Sequence, residues 1–242
     1  MEFRVFESAQ QLALAEAERI AALLHDKPGA LICIAAGHTS LPVFDALLSM
    51  QEKGEVSFAR AKFVAMDEWL GMNHNTPDSC GDFLVRHFLS HADFAKGNVR
   101  LADGCAQNTQ AECESLARFI ADNGGLDYVL LGMGMNGHLA LNEPGVDFTL
   151  GAHVTGLDEV TQQVGQKYFA HGAALRGGLT LGIADLLAAR QVALHVTGEN
   201  KAAIAARLMS EPVSNALPAT AVKALASARI WMDRAAAGTM AE

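Results

Sequence analysis

The apolar positions of the chain fall into two kinds of segment that alternate. Helical patterns cover residues 8–25, 41–50, 82–89, 107–122, 183–189, 199–209 and 217–225. Continuous apolar runs of strand length cover residues 30–35, 61–66, 126–131, 191–196 and 228–232. This alternation predicts a three-layer α/β fold, in which an open, mostly parallel, Rossmann-like sheet has helices on both faces.

The first helical segment shows the pattern most clearly. Its apolar stripe consists of Leu12, Ala15, Ile20, Leu23 and Leu24. The charged residues Glu16, Glu18 and Arg19 lie off that stripe. We therefore expect these three side chains to lie outside the buried face of the helix.

Length and charge narrow the class of protein. The chain has 242 residues, and no internal repeat, low-complexity tract or Pro/Ser-rich linker divides it, so the simplest interpretation is one domain over residues 1–242. The formal net charge of −9 argues against nucleic acid and anionic membrane surfaces as partners. An anionic small substrate stays open, because local cations and helix N-termini can override the overall sign.

The cysteines and the hydropathy of the chain indicate the cellular compartment in which the protein is expected. The four cysteines, Cys33, Cys80, Cys105 and Cys113, form no C-x-x-C pair, and we expect free thiols in a reducing environment. No secretion signal opens the sequence, and no apolar run reaches membrane-spanning length. The expected location is the cytoplasm.

Four loops that follow predicted strands carry polar or glycine-rich sequence. They occupy residues 37–40, 67–69, 132–145 and 198–201. If the sheet is parallel, all four loops meet at the carboxyl edge of the sheet, where α/β proteins of this kind bind ligands. The convergence of the loops predicts an active site more strongly than any one motif.

Two of these loops have both a functional and a plain interpretation. Gly37 to Thr39 open a helix, where backbone N–H groups and a hydroxyl suit a phosphate; the alternative is a plain strand-to-helix turn with Thr39 as the N-cap. Asp67 and Glu68 are adjacent in extended chain and so point to opposite faces. One carboxylate can therefore enter a cleft while the other pairs elsewhere.

The remaining candidates are a His–Glu pair and two lysines. His138 and Glu143 are five residues apart across a turn, and a carboxylate that orients a histidine suits proton transfer near neutral pH. Zinc binding lacks a second ligand at a suitable spacing, and a purely structural histidine is the third alternative. Lys201 begins a helix, where a cation opposes the helix dipole, and Lys167 is a further cation.

Taken together, these segments resemble the glucosamine-6-phosphate deaminase/isomerase family, which includes galactosamine-6-phosphate isomerases and is related to 6-phosphogluconolactonases. Residues 136–145, Asn-Gly-His-Leu-Ala-Leu-Asn-Glu-Pro-Gly, are similar to the signature Asn/Asp-Gly-His-Ile-x-Phe-Asn-Glu-Pro. Met66–Trp69 resembles its Asp-Glu segment, Ala36–Thr39 its phosphate loop, and Thr197–Lys201 its phosphate-lysine segment.

The resemblance implies a role for each matching residue. Asp67 would be the base that moves a proton between carbons 1 and 2 through a cis-enediol. His138 would open the pyranose ring, with Glu143 and Asn136 completing the relay. The 6-phosphate would be held by Gly37, His38, Thr39, Lys167 and Lys201. The resemblance implies no metal and no cofactor, a phosphosugar substrate, and ammonia as a product; self-association into a homo-oligomer stays open.

Departures from the family pattern bear on substrate and regulation. Lys167 stands where many glucosamine-specific members have arginine, so a bidentate phosphate contact is lost. Segments 146–147 and 153–156 lack the pattern that allosterically regulated members use to bind an effector. Met66–Trp69, residues 124–127 and the Lys167 region look more like the galactosamine-6-phosphate isomerases, which favours that branch.

Two other functions are less consistent with the sequence. A 6-phosphogluconolactonase usually has Asp-Glu-Arg where this chain has Asp67–Trp69, and Ser-Leu-Phe-Pro near Asn142–Pro144. A sugar-phosphate-sensing regulator commonly carries an added helix-turn-helix, for which there is no spare length or basic patch. Both comparisons favour an amino-sugar-phosphate deaminase/isomerase.

Overall fold

The structure, a computed structural model, describes residues 1–241. Its ten strands are β1 (Glu2–Phe6), β2 (Leu31–Ile34), β3 (Lys62–Val64), β4 (Asp67–Trp69), β5 (Val99–Arg100), β6 (Tyr128–Gly132), β7 (His153–Gly156), β8 (Gly177–Thr180), β9 (Gln191–Val196) and β10 (Arg229–Asp233). Seven of them form one sheet in the order β1-β10-β9-β6-β2-β3-β5, in which every pairing is parallel. A second, antiparallel sheet has the order β4-β8-β7.

The described chain contains eight α-helices, of which seven lie between strands and the last follows β10. They are α1 (Ala9–Asp26), α2 (Leu41–Glu52), α3 (Cys80–Leu84), α4 (Thr109–Asp122), α5 (Glu159–Gly165), α6 (Ile183–Leu187), α7 (Ala202–Ser210) and α8 (Arg234–Ala237). Local side chains fix several helix starts, since Ser8, Asn108 and Asp158 each accept a hydrogen bond from a first-turn N–H. The predicted three-layer α/β fold with a mostly parallel sheet is confirmed.

The sequence-based prediction missed both edge strands of the main sheet, β1 and β5, and the whole second sheet. β1 is an edge strand whose Glu2, Phe3 and Arg4 are exposed. It therefore lacks the continuous apolar run that identifies the inner strands. Residues 67–69 were predicted to be a loop but form β4, which pairs with Gly177–Thr180. Partners so distant in sequence leave no local signal, because the pairing depends on tertiary contacts.

One helical segment is refined and one side chain needs correction. Residues 217–225 were predicted to be helical, and Pro218–Ala224 forms a helix of the 3-10 type. Glu16 was placed off the apolar stripe of α1, yet its side chain is fully buried. It accepts hydrogen bonds from Tyr128 and bonds His195 Nε2 at 2.8 Å. A polar partner inside the core, which hydropathy cannot show, explains the burial of Glu16.

The connections of the main sheet reverse direction between β2 and β6. From β2 the chain proceeds to β3 on one side, whereas from β6 it proceeds to β9 on the other side. The loops that leave these two adjacent strands therefore diverge and open a crevice at their carboxyl ends. Such a switch point is where open α/β sheets bind ligands.

Residues 1–241 contain no helix that is both long enough and apolar enough to span a bilayer.

Candidate active site

A cavity opens at the crevice between the carboxyl ends of β2 and β6. Its walls combine the loop after β2, the loop after β6, the strand β4 and the segment from α5 to the following 3-10 turn. The lining residues include Gly37, His38, Thr39, Asp67, Trp69, Cys80, Met133, Gly134, Met135, His138, Ala140, Val160, Thr161, Val164, Lys167, Tyr168 and Lys201. One cavity thus gathers residues that are up to 164 positions apart, counted from Gly37 to Lys201.

Asp67 and Glu68 occupy opposite faces of β4, as the alternation of a strand requires. Asp67 is partly exposed on the cavity wall. Glu68 is fully buried and accepts backbone N–H bonds from Trp69 at 2.9 Å, Cys80 at 3.1 Å and Gly81 at 2.8 Å. Glu68 therefore ties the start of α3 to β4, and Asp67 is left as the carboxyl group that faces the cavity.

The surroundings of Asp67 favour its protonated form. Burial raises the pKa of Asp67 from 3.8 to about 7, and the charge of Glu68 adds to the rise. A hydrogen bond with the Cys80 thiol opposes it. A carboxyl group that titrates near neutrality can both accept and return a proton, which suits a general base.

A polar network connects His138 to the protein behind it. The Asn136 side-chain amide donates to Glu143 Oε2 at 2.7 Å, and its Oδ1 accepts from the His138 backbone N–H at 3.2 Å. His138 Nδ1 lies 3.5 Å from Glu143 Oε2 and 3.0 Å from Thr161 Oγ1. Glu143 and Asn136 are not on the cavity wall and lie behind His138.

Glu143 stays ionised in this network. Burial raises the pKa of Glu143, but hydrogen bonds and charge from His138, followed by hydrogen bonds from Thr161 and Asn136, outweigh burial and lower the pKa overall. The ionised Glu143 carboxylate therefore only accepts hydrogen bonds in this network.

The loop that carries His138 is held in a tight conformation. Ala140 adopts a left-handed backbone with a φ of 54°, and Asn142 donates side-chain hydrogen bonds to Leu139 O and Leu181 O at 2.9 Å each. A Cβ atom at Gly134 would lie only 2.3 Å from Cε1 of the His138 ring. Only glycine at position 134 leaves room for the ring in this position.

Cationic side chains form another part of the wall. Lys201 is partly buried and donates to Met133 O, and His38 and Lys167 are exposed at the mouth of the cavity. The His38 ring stacks on Tyr168 at a centroid distance of 5.2 Å, and Lys167 Nζ lies 4.9 Å from the centre of the same ring. Tyr168 therefore brings His38 and Lys167 together.

Burial, with a contribution from the charge of Lys167, lowers the pKa of Lys201 and of His38. Burial lowers the pKa of Lys201 to about 8, and the charge of Lys167 contributes. Burial and then Lys167 lower the pKa of His38. An anion bound here would relieve this repulsion, so the wall suits a phosphate group.

The two segments that resemble phosphate-binding segments of the family, Ala36–Thr39 and Thr197–Lys201, meet at this wall. Thr39 Oγ1 lies 3.4 Å from Thr197 Oγ1, and the Gly198 N–H donates to Asp233 at 3.1 Å. Residues His38–Ser40 form a 3-10 turn whose N-cap is Gly37 without a side-chain bond. The alternative that Thr39 is a simple N-cap is therefore wrong.

The structure brings most of the sequence-predicted site residues to one cavity. Seven of them line it, namely Gly37, His38, Thr39, Asp67, His138, Lys167 and Lys201. Asn136 and Glu143 stand behind His138. Sequence reasoning missed Thr161, Tyr168 and Cys80, because they lie in segments without a predicted strand end. Of these three residues, only Tyr168 could have been suspected from the sequence, because it is next to Lys167.

The arrangement of potential metal ligands also bears on the kind of site. No group of three or more His, Cys, Asp or Glu side chains within residues 1–241 is arranged to hold a metal ion. The four cysteines are free.

Comparisons with known proteins agree with this architecture. A family model described as "Glucosamine-6-phosphate isomerases/6-phosphogluconolactonase" matches residues 5–231. The glucosamine-6-phosphate deaminase of Bacillus pumilus (strain SAFR-032) is 32% identical over 232 residues, which is 96% of each chain. "Putative deaminase AgaI" of Escherichia coli (strain K12) is 36% identical over 225 residues, 90% of this chain and 89% of that protein.

A solved structure extends the similarity to the whole fold. A monomeric glucosamine-6-phosphate deaminase superposes with a TM-score of 0.94 at 28% identity, covering 98% of this chain and 99% of that chain. The chain therefore belongs to the family of glucosamine-6-phosphate isomerases and 6-phosphogluconolactonases, and it is an enzyme of the deaminase/isomerase type.

Proposed function

We propose that the enzyme converts a hexosamine 6-phosphate to the ketohexose 6-phosphate and ammonia, with galactosamine 6-phosphate as the preferred substrate. The observation that carries this proposal is the placement of Asp67, His138 and Lys201 on the walls of one cavity. A carboxyl group, an imidazole and an ammonium group are what proton transfer on a phosphosugar requires.

Asp67 is the base of the proposed isomerisation. In the open-chain aldose it takes the proton from carbon 2, which produces a cis-enediol-type intermediate, and it returns the proton to carbon 1. Over the same step the oxygen on carbon 1 gains a proton and the amino nitrogen gives one up, so that carbon 1 becomes a hydroxymethyl group and carbon 2 an imine. Water then adds to this imine and ammonia leaves. The pKa of about 7 lets Asp67 hold and release this proton at neutral pH.

His138 opens the pyranose ring before that step. It accepts the proton of the hydroxyl on carbon 1 and delivers a proton to the ring oxygen. Glu143 supports the protonated imidazole, and Asn136 orients both groups through hydrogen bonds at 2.7 Å and 3.2 Å. Asn136 and Glu143 are thus positioning residues, while His138 touches the reacting atoms.

The 6-phosphate occupies the cationic wall. Lys201 and Lys167 supply positive charge, and the 3-10 turn that begins after Gly37 directs free N–H groups toward the anion. His38 and Thr39 complete the wall. The phosphate is bound far from the reacting carbons, and the binding energy gained there fixes the orientation of the sugar.

The preference for the galactosamine isomer rests on Trp69 and Lys167, the two features of that branch that lie in the cavity. The third feature, residues 124–127, lies elsewhere. Its buried Asp127 binds Lys27 at 2.8 Å and Arg190 at 2.9 Å. We therefore assign residues 124–127 to the stability of the fold and not to substrate choice.

The direct test is ammonia release from galactosamine 6-phosphate and glucosamine 6-phosphate, with hydrolysis of 6-phosphogluconolactone in parallel. We expect ammonia and a ketohexose 6-phosphate from the amino sugars, with a higher kcat/KM for the galactosamine isomer. Faster turnover of glucosamine 6-phosphate would overturn the substrate preference alone. Lactone hydrolysis without ammonia release would overturn the proposed reaction.

A further inference from the structure

Tyr168 lies between the active-site cavity and a smaller cavity beside it. Its side chain lines both cavities, and the smaller one is also lined by Trp69 and Cys80. The Tyr168 ring stacks on the His38 ring at a centroid distance of 5.2 Å and an interplanar angle of 16°. Lys167 Nζ lies 4.9 Å from the centre of the same ring. The ring of Tyr168 is therefore packed into the cationic wall of the active site.

The hydroxyl of Tyr168 reaches the loop that follows β2. A Cβ atom placed at Gly37 would lie 3.8 Å from the hydroxyl oxygen. Gly37 lines the active-site cavity and not the smaller cavity. Within residues 1–241, no group forms a hydrogen bond with this hydroxyl. Since a partly buried tyrosine hydroxyl usually has a hydrogen-bond partner, this one is available to a ligand in the active-site cavity.

Tyr168 keeps its proton at every pH at which the enzyme is expected to work. Burial raises the pKa of Tyr168 to about 12, and Cys80 and then Asp67 contribute to the rise. A neutral phenol hydroxyl both donates and accepts hydrogen bonds. It therefore matches a sugar hydroxyl, which does the same, and it adds no charge to the phosphate wall.

The two ends of the active-site cavity define which part of the sugar meets Tyr168. In the proposed reaction, Gly37 and Lys201 hold the phosphate on carbon 6, and Asp67 acts on carbons 1 and 2. The Tyr168 hydroxyl lies beside Gly37, at the phosphate end. Carbon 4 is two bonds from carbon 6, and the orientation of its hydroxyl is the only difference between galactosamine 6-phosphate and glucosamine 6-phosphate.

We propose that the Tyr168 hydroxyl forms a hydrogen bond with the hydroxyl on carbon 4 of the bound sugar and thereby selects the galactosamine isomer. The inference rests on the proposed function for the identity of the sugar. The ring and the hydroxyl of Tyr168 then have separate tasks, because the ring packs against His38 and the hydroxyl contacts the substrate. Tyr168→Phe keeps the first task and removes the second.

Binding of unreactive ligands tests this role without turnover. 2-Amino-2-deoxygalactitol 6-phosphate and 2-amino-2-deoxyglucitol 6-phosphate are the reduced, open-chain forms of the two substrates, and they differ only at carbon 4. In calorimetry we expect the wild type to bind the galactitol compound more tightly. Tyr168→Phe should bind the galactitol compound roughly 3- to 10-fold more weakly, the effect of one neutral hydrogen bond, and the glucitol compound nearly as before. The ratio of kcat/KM for the two substrates should fall by a similar factor.

Two further ligands separate the hydroxyl from the phosphate wall. The 4-deoxy form of the galactitol compound lacks the carbon-4 hydroxyl, so the wild type and Tyr168→Phe should bind it equally. Inorganic phosphate, measured as a competitor, should also bind both proteins equally. The matched variant Tyr168→Leu removes the ring as well, and we expect it to weaken phosphate binding because the stack on His38 is lost.

The outcomes separate this inference from the proposed reaction. Equal losses for the two epimers in Tyr168→Phe, or weaker phosphate binding by that variant, overturn the contact with carbon 4. Unchanged binding of the galactitol compound by Tyr168→Phe overturns it as well. If the wild type releases ammonia and Tyr168→Phe keeps the wild-type sugar preference, only the role of Tyr168 fails. A wild type that binds neither alditol phosphate overturns the proposed substrate class and the inference with it.

Discussion

Asp67 and Glu68 are consecutive residues whose carboxyl groups have opposite tasks. Glu68 is fully buried and accepts three backbone N–H bonds, whereas Asp67 faces the cavity and is not among these acceptors. The charge of Glu68 also helps to raise the pKa of Asp67 to about 7. The buried carboxylate of Glu68 thus raises the pKa of the neighbouring carboxyl group, which faces the cavity.

The first prediction concerns Asp67→Asn. This substitution keeps the shape of the side chain but removes the base, so we expect kcat to fall by about 10²- to 10⁴-fold while phosphosugar binding survives. Steady-state ammonia release and calorimetric binding of an inert phosphosugar measure the two effects. The exposed Asp45→Asn on α2 is the control. Wild-type-like turnover of Asp67→Asn would contradict the assignment.

The raised pKa of Asp67 also has a consequence for stability. Because the pKa of Asp67 is about 7 in the folded protein and its ordinary value is 3.8, the native state binds an extra proton between these two pH values. Stability from this group therefore declines as pH rises from 3.8 to 7, and the cost of ionisation is complete above pH 7. For each 1 kcal/mol of this cost, Asp67→Asn should raise Tm at pH 8 by ~2–4 °C. At pH 3 the advantage should vanish; an equal Tm gain at both pH values would argue for another cause.

The second pH-dependent group is Lys201. Its pKa of about 8 means that the free enzyme loses this positive charge above pH 8. Asp67 must be ionised to act as a base, and Lys201 must be protonated to bind the phosphate. We therefore expect a bell-shaped kcat/KM profile, with an acidic limb near pH 7 from Asp67 and an alkaline limb near pH 8 from Lys201. The second ionisation of a phosphate ester, near pH ~6, falls below both limbs.

Substitution of Lys201 tests the phosphate wall. Lys201→Met or Lys201→Ala should raise KM by roughly tenfold or more, since a charge-assisted hydrogen bond is lost, and kcat should change less. The alkaline limb of kcat/KM should disappear with the charge. Lys96→Met, at an exposed position outside the cavity, serves as the control. An unchanged KM in the Lys201 variants would count against a phosphate at this wall.

Gly134→Ala tests the space beside His138. The added Cβ would lie 2.3 to 2.5 Å from the Cε1, Nε2 and Nδ1 atoms of the His138 ring, so the imidazole must move. We expect kcat to fall by about 100-fold, because proton transfer depends on this alignment. Gly156→Ala, where no atom lies within 4 Å of the new Cβ, should keep full activity. Equal kcat values for both variants would show that His138 tolerates displacement.

The buried Glu16 gives a prediction on stability. Its carboxylate bonds His195 and Tyr128, and Arg229 donates to the Tyr128 hydroxyl at 2.6 Å. Glu16→Ala leaves buried polar groups without a partner, so unfolding in urea should show a loss of about 3–5 kcal/mol. Substitution of the exposed neighbour Glu18→Ala should cost less than 1 kcal/mol, in the ordinary range for surface sites. Similar losses in the two variants would contradict a role for the buried cluster.

The sequence by itself determined the inner strands, most helices and the loops after β2, β6 and β9. Those features are local: a buried parallel strand is a continuous apolar run, and a glycine loop with polar residues follows it. The Asp67, His138 and Lys201 candidates came from this logic, and the structure places all three at one cavity. Asn136 and Glu143 were found as well, although only the structure places them behind the imidazole.

Tertiary structure alone decided what depends on partners far apart in the chain. It placed Asp67 on a strand paired with Gly177–Thr180, buried Glu16 against His195, and brought the Thr161 hydroxyl oxygen to 3.0 Å from His138 Nδ1. None of these relationships has a periodic signature, because each depends on which side chain lies across a contact and not on spacing along the chain. The pKa of Asp67 belongs to the same class, since burial and the charge of Glu68 exist only once the chain has folded.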